Sequence, residues 1–414
     1  MVFLRDSNFL LIKEYLEEVM GKLSRLFKKC ILLTLMILFP FWASGCWDIQ
    51  EMDSLAIVTG IGVDAGDTPD TINFTAQIAE PHQSGSSQSQ NDSSQDSSSR
   101  LLKTTSRSIL SAIESLNRES SRMLFLHHNQ IVVFGLEQAQ KGVLPYLDVL
   151  MRHYQMRVEV FFLVTDSKAE EVLNTPTKPE SVSSIYLAKL LRNENSEFSL
   201  ASIKILDFVN SMLGENPASV APLVNIEKKG ETTLLTISEL AVFKKDKMVG
   251  KLSGDQVTGY TWITGKINRS RVEISRDSSF ASLRLFDIQT GFTPSITEKG
   301  ELVINLDIKG KMALEEIMGF DGMTIKKAAE LIMEESQASI SKSVLDSLEA
   351  AQEFGADIFQ FGEAYRKKFP DEWDRLNKDW DAAFSNIKIN PAINLRLMDT
   401  EDISTSLQMK EPNQ

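Results

Sequence analysis

Few stretches of this chain combine residue types that could do chemistry. Two cysteines occur, Cys30 and Cys46; a thiolate is a nucleophile and a soft metal ligand. Gly60-Ile61-Gly62-Val63-Asp64-Ala65 fits the spacing G-x-G-x-x-A, with which a glycine turn can lead a helix N-terminus onto a pyrophosphate. His127 and His128 are adjacent, and the only other histidines are His82 and His153. Glu170-Glu171, Glu315-Glu316 and Glu334-Glu335 pair carboxylates in the manner of an acid and a base. Tyr365, Phe369, Trp373 and Trp380 could cage a ligand between aromatic faces.

Most of these readings fail on context. After Ala65 come the turn residues Gly66-Asp67-Thr68-Pro69-Asp70 and then an alternating strand, so no helix opens where a dinucleotide would need one. The glycines are read instead as belonging to a twisted or bulged strand. His127 and His128 fall in a strand-like run, where neighbours point to opposite faces, so the pair does not share one ion. No H-E-x-x-H, G-x-S-x-G or phosphate-binding Walker loop is present. One histidine is expected to be a buried polar group and the other solvated. The acidic pairs read as solvated helix faces and the aromatic group as a core seam at helical spacing. The expectation is therefore no catalytic residue, no metal site and no cofactor.

The thiol of Cys46 stands apart because of what precedes it. Lys22, Arg25, Lys28 and Lys29 lead into Ile31–Trp42, a 12-residue, largely apolar run that contains Pro40. Ala43-Ser44-Gly45 follow and Cys46 closes the stretch. A positive segment, a short apolar one and small residues form the layout of a secretory signal. The run is shorter than the roughly 20 residues of a spanning helix. Cys30 would leave with the signal, so the mature chain holds one cysteine and no internal disulfide. Ala43-Ser44-Gly45-Cys46 resembles a bacterial lipobox, in which the thiol is diacylglycerylated and the chain is cut before it. Two acyl chains of the palmitate type supply the paired anchoring that stable membrane attachment needs. Acidic Glu14, Glu17 and Glu18 suit such a signal poorly, and a start at Met20 gives a compact one.

Charge narrows the partners. Residues 1–45 carry six basic and four acidic groups, a balance of +2, which leaves −15 of the total of −13 on the remainder. Such a body is repelled by nucleic-acid phosphates and by anionic lipid heads, so no nucleic acid is expected and any membrane attachment comes from the anchor. Hydrophobic residues at 42% and charged residues at 24% of 414 mark a globular chain of more than one domain.

The elements behind these residues alternate between α and β without a strict βαβ rhythm. Strands are predicted over 55–64, 71–80, 123–134 (one or two), 157–164, 282–290, 301–310 and 387–398, the last an edge strand because of Pro391. Further strands fill the section from Val220 to Ser275, with Lys244–Lys247 as a hairpin tip and 254–266 as a packed loop. Helices are predicted over 106–118, 136–153 with a break at Pro145, 167–173, 183–192 and 202–213. A long helix over 324–355 carries Ile325, Ala328, Ile332, Ile340, Val344, Leu348 and Ala351 on one stripe and ends at Gly355. A second helical run over 358–383 is broken by Pro370. Residues 83–100 are nearly all Ser, Gln, Asn and Asp and are expected to form a flexible loop.

These features together resemble the Ger(x)C family of spore germination lipoproteins. The carrying residues are Cys46-Trp47-Asp48, Glu51, Leu55-Ala56 and Gly60-Ile61-Gly62-Val63-Asp64, then Arg122–His128, Arg152, Glu239–Lys244, Gly250, Leu252, Gln352, Asp357, Phe361-Gly362 and Trp373. The resemblance spans Cys46 to about Leu397. It implies an α+β chain of three mixed α/β domains with mainly antiparallel or mixed sheets. The last domain would carry the long helix packed on a sheet. The corresponding division is a signal peptide over 1–45, an N-terminal α/β domain over 46–200, a strand-rich middle domain over 201–281, a C-terminal α/β domain over 282–398 and a polar tail over 399–414. It further implies a non-enzymatic subunit of a nutrient germinant receptor, lipidated at Cys46 on the outer face of the spore inner membrane. Its partners would be an integral-membrane A subunit and a transporter-like B subunit. The competing reading is a lipid-anchored solute-binding protein of a transporter, a class built from two doubly wound lobes.

Overall fold

The computed structural model describes residues 54–80, 99–157, 159–193, 202–230, 232–267, 269–276, 278–320 and 324–398, together with 20–23, 25, 27–29 and 31–36 near the N-terminus. The chain divides into two compact units, residues 1–55 and 56–414. In the first, the described positions of 20–36 are helical. Among the described residues no helix is long and apolar enough to cross a membrane.

The larger unit is built on two sheets. Nine strands form the first: β1 (Leu55–Ala65), β2 (Ile72–Ala79), β3 (Ser99–Ser106), β4 (Met123–Phe125), β5 (Ile131–Phe134), β6 (Phe161–Thr165), β7 (Ala218–Lys229), β8 (Thr232–Lys244) and β9 (Lys247–Ser253). Their spatial order is β3-β2-β1-β5-β6-β7-β8-β9, with β4 paired to β1. The centre, β1-β5-β6-β7, is parallel, and both flanks are antiparallel. Parallel strands must be covered on both faces, and the sequence supplies the cover. Val132 and Phe134 of β5 face one way, into a core with α1 (Ile109–Glu119), α3 (Leu144–Arg152) and α6 (Ile205–Met212). Ile131 and Val133 face the other way, against α4 (Ala169–Asn174) and α5 (Ser183–Arg192). The short α2 (Leu136–Lys141) joins β5 to α3, and the break between α2 and α3 falls at Gly142-Val143, with Pro145 in the first turn of α3.

The second sheet has the order β10-β11-β12-β13, from β10 (Ser270–Arg276), β11 (Ser279–Ile296), β12 (Leu302–Met318) and β13 (Lys388–Leu397). β13 is an edge strand that runs parallel to β12 and holds Pro391 opposite Leu306. Helix α8 (Ile325–Glu353) lies on this sheet: Ala328, Ile332, Ile340, Val344, Leu348 and Ala351 are buried in one core with Leu283, Leu285, Ile304 and Leu306. Each such aliphatic side chain contributes about 1.5–3 kcal/mol through burial. Thr324 caps the N-terminus of α8 by accepting from the Lys327 N–H, and Gly355 follows its end at φ +59°. The same core takes in Val220, Leu240, Val242 and Leu252, so β7–β9 serve both halves of the fold.

Several expectations need correction. Residues 254–266 form a helix, α7 (Asp255–Thr264), not a loop. Its Val257, Tyr260, Trp262 and Ile263 are buried on different sides, which erases the one-sided periodicity that marks a surface helix. Strand β3 takes 99–106, part of which reads as loop or helix start in sequence. Strands β11 and β12 extend well beyond their predicted ends. Strand β6 pairs with β7 across residues 200/201, and β11 runs through 281/282.

Candidate functional site

Cys46, Cys30, the apolar run beyond Met36, most of the Ser/Gln-rich segment and the tail from residue 399 lie outside the described residues. The remaining residues singled out in sequence fall into three places.

The first is the end of β1. A bulge interrupts β1 between Val58 and Gly60. A Cβ on Gly60 would come within 2.6 Å of the Ser184 Cβ, so the glycine lets α5 press directly on the strand. No phosphate cradle forms here. Asp64, buried at the strand end, accepts hydrogen bonds from the Ala169 N–H at 2.7 Å and the Glu170 N–H at 3.1 Å, and so caps α4. Burial pushes its carboxyl above the usual range, and these two N–H groups hold it back. Beside it runs a buried polar network that sequence patterning misses. Gln77 Nε2 donates to the Leu173 carbonyl at 2.7 Å and its Oε1 accepts from the Ser184 N–H at 3.0 Å, while Ser184 Oγ donates to Thr59 Oγ1 at 2.9 Å. The only sequence signal is Thr59 within the largely apolar β1; Gln77 is one of several polar residues in the alternating β2.

The second place is the histidine turn. His127 and His128 lie on a 3₁₀ turn, Leu126–His128, not on a strand. The His127 ring stacks on Phe125 at 4.6 Å and is half-buried, whereas His128 is exposed. His153 sits near enough that His127 adds to the burial that lowers its pKa. Among the described residues no three metal-capable side chains converge. The acidic pairs lie apart from this turn and from one another: Glu170 is held by Lys103, Glu315 by Arg271 and Arg284, and Glu335 by Arg276.

The third place is the junction between the aromatic block and the first sheet. Helices α9 (Phe361–Lys368), α10 (Pro370–Leu376) and α11 (Trp380–Phe384) follow α8, and Pro370 opens α10 where the run was expected to break. Phe361, Tyr365, Trp373 and Trp380 are buried as a seam, with Trp373 and Trp380 at 5.1 Å between ring centres. Tyr365 Oη donates towards the Val303 and Ser295 carbonyls at 3.0 and 3.1 Å, and burial raises its pKa to about 12. Asp357 is the hub. Its carboxylate accepts from the Phe361 and Gly362 N–H groups at 3.0 and 2.7 Å and from Trp380 Nε1 at 3.2 Å. Complete burial pushes its pKa up to about 6, and the three N–H donors keep it from rising further. Gln352 Nε2 ties the same block to the Phe384 and Ile387 carbonyls, each at 2.9 Å. The block then reaches the first sheet through polar pairs: Trp373 Nε1 donates to Glu215 at 3.0 Å, Asn216 Nδ2 to Asn377 at 3.3 Å and Lys244 Nζ to Asp381 at 2.6 Å. These pairs rim a cleft of about 210 Å³. The arrangement can lock two halves of a fold together.

Glu239 and Arg152, also singled out, make surface pairs. Glu239 meets Lys251 at 2.9 Å and Arg152 meets Asp148 at 2.9 Å.

Comparison with known proteins places this architecture. Residues 48–226 match the family described as the spore germination protein N-terminal domain, and residues 238–401 match the family described as spore germination B3/GerAC like, C-terminal. The first match ends within β7 and the second begins within β8, on either side of the turn that joins them. Spore germination protein KC of Bacillus subtilis is 22% identical over 376 residues, covering 86% of this chain and 92% of that protein. Spore germination protein B3 of the same organism is 21% identical over 366 residues, covering 86% and 93%. The crystal structure of the GerBC protein superposes with a TM-score of 0.52 at 17% identity, over 85% of this chain and all of that one. At that identity the likeness is one of fold.

Proposed function

Because the chain belongs to the GerAC-like family of spore germination proteins, we propose that it is the lipid-anchored, extracytoplasmic subunit of a nutrient germinant receptor. In this reading Cys46 carries the diacylglyceryl anchor after removal of 1–45. The body stands on the outer face of the spore inner membrane, assembled with an integral-membrane A subunit and a transporter-like B subunit. The observation that carries it is the pair of family matches, which between them cover nearly all of the chain beyond the proposed anchor.

The body works as an assembly surface, not as a catalyst. Among the described residues the two buried carboxylates, Asp64 and Asp357, are both committed to backbone and indole N–H groups of the protein itself. The alternative of a transporter's solute-binding protein has less support. That class pairs two doubly wound lobes, whereas here the second sheet is an antiparallel β10-β11-β12 meander with one parallel strand added.

The test is made in a sporulating host. Mass spectrometry of the native chain is expected to find a diacylglyceryl thioether on Cys46 and no residues 1–45. Cys46→Ala is expected to release the protein from the membrane fraction and to weaken nutrient-triggered germination while vegetative growth stays normal. A bare thiol on a membrane-bound chain would overturn the anchor, and unchanged germination in a deletion strain would overturn the receptor role.

A further inference from the structure

A second cleft, of about 480 Å³, opens at the leading ends of the parallel strands β5 and β6. That volume lies within the range of small-molecule sites. Arg157, Arg192, Lys204, His127 and His128 line it, against a single carboxylate, Glu159. Glu159 is already engaged by Lys204 Nζ at 3.1 Å. On a chain of net charge −13 this is a local reversal of sign. Arg192 is steadied with its guanidinium 5.5 Å over the Phe161 ring and one N–H donated to Gln130 at 3.1 Å. Its other donors, and the whole head of Arg157, are uncommitted among the described residues.

Asn129 adds an observation that does not depend on charge. It joins the histidine turn to β5 and lines the same cleft, yet it is only 4% exposed. Neither its Oδ1 nor its Nδ2 has a partner, and His127 Nδ1 is also shut from solvent and unpaired. An orphaned buried polar atom is costly, and native interiors seldom keep one without a bound water, ion or ligand. Here the three belong to Asn129 and His127, two residues that line one cationic cleft.

We propose that this cleft binds a small carboxylate that carries its own O–H or N–H donor. The carboxylate groups are matched by Arg192, Arg157 and Lys204, since guanidinium heads recognise carboxylates through paired N–H donors. The extra donor is required by Asn129 Oδ1, which sulfate, an acceptor only, leaves unpaired. Asn129 Nδ2 in turn donates to an oxygen of the ligand.

Titration calorimetry of the full chain in detergent at low salt tests this. The probes are citrate, L-malate and L-aspartate, each set against an analogue without the donor: tricarballylate for the first, succinate for the others. At least one donor-bearing probe is expected to bind, about tenfold more tightly than its analogue. Affinity is expected to fall about tenfold in the double variant Arg192→Gln/Lys204→Gln, whose urea midpoint serves as the folding control. Arg157→Gln, a change at a side chain with no protein partner among the described residues, is expected to weaken binding without touching the fold. Absence of binding by all three probes at millimolar concentration would refute the site. So would equal affinity in the variants, or sulfate binding as well as the best carboxylate.

Discussion

Asp357 carries a quantitative expectation for how stability responds to pH. Its carboxyl has a pKa of about 6 in the folded chain, against an ordinary value of 3.8. A folded-state value above the unfolded one means that the native state holds the proton more tightly. The stability that this brings is fully present below pH 3.8 and is lost as pH rises through about 6. Over the full range the shift corresponds to about 3 kcal/mol. Between pH 7 and pH 5 linkage gives a gain of about 1 kcal/mol. Other shifted groups act in the same window: Asp64 is raised and works in the same direction, while His153 is lowered and works against it. The comparison with Asp357→Asn removes both, because they are common to the two proteins. The amide cannot titrate, and its NH₂ faces N–H donors that the carboxylate had satisfied, so the variant is expected to be less stable throughout, by about 1–3 kcal/mol at pH 7. Urea unfolding of both proteins at pH 5, 6 and 7, with unchanged slopes, should find the gap widening by about 1 kcal/mol towards pH 5. A gap that stays flat, or narrows, would mean that burial does not govern this carboxylate.

The remaining expectations concern packing and capping. A Cβ on Gly259 of α7 would lie 1.9 Å from the Ser343 carbonyl oxygen of α8, so Gly259→Ala should lose at least about 2 kcal/mol in urea unfolding despite alanine's better helix propensity. Asp64→Ala removes the acceptor for the first two N–H groups of α4 and should cost about 1–3 kcal/mol, read as a lowered thermal midpoint. Tyr365→Phe leaves the Val303 and Ser295 carbonyls without the phenol and should cost about 1–2 kcal/mol in the same assay.

Much of this fold was legible in the chain. Helix α5 was readable to the residue, and α8 almost so, because a one-sided apolar stripe bounded by Thr324 and Gly355 is a local pattern. The β1–β2 hairpin followed from alternation and from the turn residues between them. Helix α7 was hidden by being buried all round, and the 3₁₀ turn at His127 by its shortness. The junction site was half legible: Asp357, Phe361-Gly362, Trp373 and Lys244 could be singled out, but their junction partners Glu215 and Asp381, and the Asn216–Asn377 pair, could not.

By itself the sequence determined the element types, the sign of the charge, the apolar run before Cys46 and the family likeness, since each is written in neighbouring residues. Only the tertiary structure decided that β6 joins β7 in one continuous sheet and that Asp357 is a buried hub with an elevated pKa. It alone gathered Asn129, Arg192 and Lys204 around one cleft. Those outcomes depend on which distant segments exclude water from one another, and a linear pattern does not record that.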